Sequence, residues 1–215
     1  MRPWRSRPSG ASPAGRLLEE LRPHIGNPRV LAAIAAVPRD RFVPEHRRDE
    51  AWDNVALPIG YGQTISQPLV VARMCELLEL RGDERVLDVG TGSGYHAAVL
   101  AQLVAHVWSV ELHPGLSERA ARALAAAGVA NVTLRVGDGS LGHPPGAPYD
   151  AINVAAAMAS IPPALPEQLA EGGRLVGPVN TADQRLVLLH RGAGGELSSE
   201  EHERVRFVPL VSEPG

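Results

Sequence analysis

The sequence predicts an α/β protein: a doubly wound, mostly parallel sheet of seven strands with an antiparallel edge, preceded by an N-terminal helical extension. Three observations predict it. From Arg85 onward short apolar strands alternate with helical segments, which calls for βαβ units and a parallel sheet covered on both faces. The first strand runs into its helix through Gly90, Gly92 and Gly94, a turn suited to close approach by a ligand. The last two apolar runs, "QRLVLLHR" and "ERVRFVPLV", have only the turn-rich "GAGGELSSEEH" between them and so pair antiparallel at one edge.

The N-terminal elements read in order. Residues 1–15 form a charged, Pro/Ser-rich tail without an apolar stretch, hence a flexible segment and no signal peptide. Residues 16–80 form a helical and loop subdomain, packed as one unit with a ligand-binding domain over 81–215. "AGRLLEELRPHI" is helical, and "NPRVLAAIAAVP" follows with Asn27 as N-cap and Pro28 in the first turn. "RDRFVPEHRRDEAWDNVALP" lacks a clean period and reads as irregular chain with short helical turns. The loop "LPIGYGQTISQP" leads to a helix over 67–80, with Ser66 placed as its N-cap. "RVLDVG" and "HVWSVE" are strands separated by the helical "YHAAVLAQL". "GLSERAARALAAAG" is a helix stopped by Gly128. "NVTLRVGDG" and "YDAINVAAA" continue the sheet, the helix-like "PALPEQLAEGG" follows, and "RLVGPV" is the next strand.

Composition narrows the function. At 215 residues with 44% hydrophobic and 21% charged residues, the chain has the make-up of one soluble globular unit. A net charge of −3 gives no general attraction to nucleic acid or an anionic membrane, and neither is expected as a partner. No stretch approaches the ~20 apolar residues of a membrane span. A cytoplasmic monomer is expected. All 21 basic residues are arginine, which excludes Schiff-base or P-loop lysine chemistry. Cys75 lies in an apolar helical run and reads as a buried small hydrophobe. The eight histidines are scattered without a short-spaced pair, so no metal site is expected.

The chemistry resides in "VLDVGTGSGY" and the strand ends after it. A dinucleotide turn is G-x-G-x-x-G, whereas here the third glycine comes one position early and Tyr95 stands in its place. Asp88 before the glycines is unfavourable beside a pyrophosphate and suits a cationic ligand. Glu111, ending the next strand, is placed for two ribose hydroxyls. Asp138 and Gly139 in "GDG" end the third strand, with Asp138 able to accept from an adenine amino group. These three acids are expected to face one crevice that holds S-adenosyl-L-methionine, a nucleoside with a sulfonium and no phosphate. A lone glycine turn is a weak signal; the ordered set is a stronger one.

In order along the chain, "RFVP", "AWDNVALPIGYGQTISQP", "VLDVGTGSGY", "GDG", "IPPALPEQLAEGGRLVGPV" and "RFVPLV" resemble the protein-L-isoaspartate (D-aspartate) O-methyltransferases, from about Leu17 to Leu210. The resemblance implies a Rossmann-like methyltransferase sheet. It also implies methylation, by S-adenosyl-L-methionine, of the free α-carboxyl of L-isoaspartyl residues, and of D-aspartyl residues at their free carboxyl, in damaged proteins and peptides, initiating repair through a succinimide. It puts Ser66 on the active-site serine and Asp88, Gly90, Gly92, Gly94, Glu111, Asp138 and Gly139 on cofactor positions. Thr64 and Ser66 then become donors that hold the substrate carboxylate, Ser66 orienting it rather than attacking. Ala155, Met158, Ser160 and Asn180 depart from the family pattern at strand ends near the expected mouth. Two other readings remain open: a carboxyl methyltransferase for an aspartate of a dedicated peptide, and a non-catalytic nucleoside-binding scaffold.

Overall fold

The computed structural model describes residues 12–211; residues 1–11 of the predicted tail lie outside them. The helical part begins earlier than the sequence suggested. Ser12 accepts from the Gly15 amide and Pro13 takes the first helical position, so α1 spans Pro13–Leu21 and residues 13–15 are its first turn. α2, Pro28–Ala36, is capped by Asn27, whose side chain accepts from the Arg29 amide. Two 3₁₀ turns, Arg39–Phe42 and Glu45–Glu50, carry the irregular stretch. "LPIGYGQTISQP" is not a plain loop: β1, Leu57–Gly60, pairs antiparallel with β2, Gln63–Ile65. α3 is Pro68–Leu77.

The sheet follows: β3 Arg85–Val89, α4 Tyr95–Ala101, β4 His106–Glu111, α5 Pro114–Ala126, β5 Val132–Val136, β6 Tyr149–Val154, α6 Ala164–Glu167, β7 Leu169–Asn180, β8 Gln184–Arg191 and β9 Leu197–Arg204. α5 ends in a Schellman turn: Gly128 at φ +73 donates to the Ala125 carbonyl, and Val129 donates to that of Leu124. Strand order is β5-β4-β3-β6-β7-β8-β9, with β5 to β7 parallel and the last two antiparallel. The chain winds outward from β3 to β5, then returns to lay β6 on the other side of β3. That reversal opens a crevice beyond the strand ends at Val89 and Val154, where ligands bind in open α/β sheets.

Alternation along the strands sends side chains to two cores. Val86, Val107 and Ala151 pack with the N-terminal helices, α4 and α5, while Leu87, Val110 and Ile152 pack under α6 with Tyr149, Leu165 and Leu175. Among the described residues no helix is long and apolar enough to cross a membrane, and no group of three or more His, Cys, Asp or Glu is placed to hold a metal.

Two element assignments, one strand and one helix, are corrected. The last strand is Leu197–Arg204, not "ERVRFVPLV". It is an edge with nearly every residue exposed, so charge protects it and no apolar alternation marks it. The apolar Val205–Leu210 instead crosses toward the crevice, where Val208 O accepts from the Ala157 amide and the Leu210 amide donates to Ala157 O, both at 2.8 Å. The helix expected over "PALPEQLAEGG" stops at Glu167. The Gln168 side chain donates to Leu141 O and Ala164 O and accepts from the His143 amide, while its carbonyl accepts from the Tyr149 amide and starts β7.

Candidate active site at the strand switch point

The glycine turn is built on buried polar groups. Gly90 and Thr91 donate their amides to Val110 O at 2.9 and 3.2 Å, and Gly90, Gly92 and Gly94 all have positive φ. Thr91 Oγ1 meets Ser109 Oγ at 2.6 Å; Ser109 Oγ donates to Asp88 Oδ2 at 2.7 Å; Asn153 Nδ2 donates to Asp88 Oδ1 at 2.7 Å. Asn153 Nδ2 also lies 3.2 Å from His96 Nδ1, and His96 Nε2 lies 3.6 Å from Cys75 Sγ. This chain anchors the turn to β4, β6 and α3.

Asp88 is therefore an interior anchor. Its side chain is fully buried and engaged by Ser109 and Asn153, and it does not face the crevice as the sequence suggested. Burial pushes its carboxyl up to about 6 against the hydrogen bonds that favour the anion. Burial likewise lowers His96 to about 3, so the imidazole is neutral at physiological pH. Cys75 is buried, as its sequence context suggested.

Glu111 does reach the crevice. Its Oε2 accepts from the Gly92 amide at 2.8 Å and its Oε1 from the His113 amide at 3.0 Å, which fixes the carboxylate and leaves lone pairs for a ligand. Asp138 uses Oδ1 to accept from Ser140 N and Oγ, capping the turn at Gly139–Leu141. Gly139 is pressed so closely that a Cβ would sit 2.5 Å from Val89 Cγ1. Gly90, Gly92, Glu111, Gly139 and Ala155 line one cavity, together with Gln63 and Thr64 of the hairpin.

Thr64 lines that cavity, and Ser66 lies beside it in two neighbouring ones that Thr64 shares. Both line an inner cavity with Gly90, Gly92 and Tyr95, and both line an open one with Val70, Arg204, Arg206 and Phe207. Ser66 is not the N-cap of α3: that position is Gln67, and the Leu69 amide is accepted by Asn54 Oδ1 at 3.0 Å. Among the described residues no hydrogen bond engages either hydroxyl, so both are available to a substrate.

Arg39 is the residue that sequence reasoning missed. It is fully buried and donates to the carbonyls of Ala51, Asp53, Val55 and Ser66, the last two at 3.0 Å, with its guanidinium 5.4 Å from the Tyr95 ring centroid. Burial lowers it to about 10, so it remains a cation. One arginine thus pins the approach to the hairpin and the backbone of Ser66. In "RDRF", among other charges, nothing in the sequence distinguished it.

Of the four departures from the family pattern, Ala155 lines the crevice. Met158 is buried in the second core against Gly177, where a Cβ would lie 2.8 Å from its Cε. Ser160 is exposed, and Asn180 bonds to Met158 O through its amide and accepts from Gln184.

The inner lining fits S-adenosyl-L-methionine better than a dinucleotide. It holds the Glu111 carboxylate, placed for ribose hydroxyls, and glycines that leave room for a flat base, and its third glycine departs from the dinucleotide spacing.

Comparison with known proteins agrees with this geometry. The sequence profile of the family "Protein-L-isoaspartate(D-aspartate) O-methyltransferase (PCMT)" matches residues 13–215. A protein-L-isoaspartate O-methyltransferase of Anaeromyxobacter dehalogenans (strain 2CP-1) is 57% identical over 189 residues, 86% of this chain and 90% of that protein. Protein-L-isoaspartate O-methyltransferase 1 of Rhodopseudomonas palustris (strain HaA2) is 54% identical over 193 residues, 89% of this chain and 79% of that one. A solved protein-L-isoaspartate O-methyltransferase superposes with a TM-score of 0.84 at 28% identity, covering 93% of this chain and 66% of that chain. A Plasmodium falciparum structure in complex with S-adenosyl-L-homocysteine shares the fold, with a TM-score of 0.79 at 23% identity, covering 92% and 98%. By profile, identity and fold together, the chain belongs to the protein-L-isoaspartate (D-aspartate) O-methyltransferase family.

Proposed function

We infer that the chain methylates the free α-carboxyl of L-isoaspartyl residues, and the free side-chain carboxyl of D-aspartyl residues, in damaged proteins and peptides. The observation that carries this is the position of Thr64 and Ser66, two unengaged hydroxyls shared by the cavity beside the glycine turn and the open one beside Arg204–Phe207. Glu111 is suited to the ribose hydroxyls of S-adenosyl-L-methionine, and Gly90, Gly92 and Gly139 to close contact with its amino-acid and adenine ends, while Gly94 lets the turn pack against Ala120 and Leu124 of α5. Asp138 serves there through the turn that it caps. Asp88 contributes by holding Ser109 and Asn153, and through them the turn.

When bound, the cofactor supplies an activated methyl group on a sulfonium. A carboxylate of pKa near ~4 is ionised at neutral pH, so the acceptor needs no general base. His96, neutral and inside the fold, is not asked to be one. What remains is orientation. Ser66 and Thr64 donate to the acceptor carboxylate, and Arg39 keeps the Ser66 backbone fixed while they do so. Hydroxyl donors restrain the carboxylate without tying up its charge as a guanidinium pair does. The ester then closes to a succinimide as the following backbone nitrogen attacks and methanol leaves.

Calorimetric titration with S-adenosyl-L-homocysteine and, separately, with NAD tests the cofactor assignment. Saturable binding of the first and none of the second is expected; the opposite pattern would sink it.

A further inference from the structure

The tip of the β1–β2 hairpin departs from the chemistry of its own turn. Gly60 pairs with Gln63, leaving Tyr61 and Gly62 as a two-residue connection, and both have positive φ, +55 and +71. Turns of this kind favour Asn-Gly, because an aromatic residue is strained in the left-handed region. Such strain persists where surrounding contacts over-determine it.

Those contacts all lie at the start of α5. The Tyr61 ring stacks on His113 with centroids 5.3 Å apart and planes at 27°. The Arg119 guanidinium lies 5.2 Å from the same ring centroid, and Arg119 is itself held by donation from Nε to Gly115 O at 3.3 Å. Gly115 leaves the space for the ring: a Cβ there would lie 2.3 Å from the Tyr61 hydroxyl. His113 is also the residue whose amide donates to Glu111. The hairpin contributes Gln63 and Thr64 to the lining of the donor cavity, and Glu111 and His113 line the same cavity.

We propose that Tyr61 is a positioning residue that latches the hairpin across the donor cleft and sets the rate at which the bound nucleoside leaves. The latch rests on the cofactor assignment made above. Tyr61 remains 58% exposed, so few contacts need to break for the hairpin to lift.

Release of S-adenosyl-L-homocysteine from the full chain, followed by stopped-flow displacement, tests it. Tyr61→Asn suits the turn while removing the ring, so the melting temperature holds and release becomes about three- to tenfold faster. Tyr61→Phe keeps the ring and releases at the wild-type rate. Gly115→Ala ejects the ring from its seat, reproduces the fast release, and adds nothing in a Tyr61→Asn background. Wild-type release rates in Tyr61→Asn, or additive effects of the two substitutions, overturn the latch. A wild-type chain that fails to bind the nucleoside overturns the cofactor assignment, and the latch with it.

Discussion

Asp88→Asn separates an interior anchor from a ligand. In the folded chain the carboxyl is raised from 3.8 to about 6, chiefly by burial. Between those values the unfolded chain ionises while the folded one keeps its proton. Stability therefore falls as pH rises from about 4 to about 6 and is constant in this respect above it, a loss of about 3 kcal/mol. Asparagine carries no charge and fits the same bonds: its oxygen accepts from Asn153, its amide donates to Ser109 Oγ, and Ser109 turns to donate to Thr91. Urea unfolding from pH 4 to pH 8 should show the variant gaining about 3 kcal/mol on the wild type across that range, with the gain complete near pH 7. Affinity for S-adenosyl-L-homocysteine should change little. Parallel stability curves, together with a large loss of affinity, would show that Asp88 is a ligand and that the buried chain is misread.

Three further substitutions probe the site. Ser66→Ala should lower kcat/KM on an isoaspartyl peptide by roughly 10- to 100-fold with an unchanged melting temperature, since the hydroxyl caps nothing; a loss of stability equal to a lost cap, ~1 kcal/mol, would restore the cap role. Arg39→Met should cost about 3 kcal/mol or more, because four carbonyls lose their buried donor, and chemical denaturation measures it directly; a loss under ~1 kcal/mol would mean that water replaces the guanidinium. Glu111→Gln sets an amide NH₂ against the Gly92 or His113 N–H and should weaken S-adenosyl-L-homocysteine by about tenfold or more in calorimetry, whereas unchanged affinity would remove Glu111 from the cofactor site.

Most of the sheet was legible because its strands are apolar and its turns are marked by glycine: "VLDVGTGSG" and the Gly128 stop need no tertiary knowledge. β9 was not legible, since an exposed charged edge carries no alternation, and the neighbouring apolar run that mimicked a strand is packed along the crevice. The site was legible to the extent that function follows strand ends. Glu111 points where its position implies. Asp88 lies within the strand β3, and the pleat together with the Asn153 and Ser109 partners turns it inward, which only the strand order β4-β3-β6 reveals. Ser66 looked like an N-cap because it precedes the proline by two residues, but Asn54, distant in sequence, supplies the acceptor. Arg39 was hidden for the same reason: its partners lie 12 to 27 residues away along an irregular chain.

The central claim is that two hydroxyls beside the glycine turn present an isoaspartyl carboxylate for methylation. Tritiated methyl transfer from S-adenosyl-L-methionine to a synthetic isoaspartyl peptide, run beside its aspartyl isomer, tests it most directly. Base-labile label on the isoaspartyl peptide alone is the predicted result; equal labelling of both, or label on neither, would contradict the account.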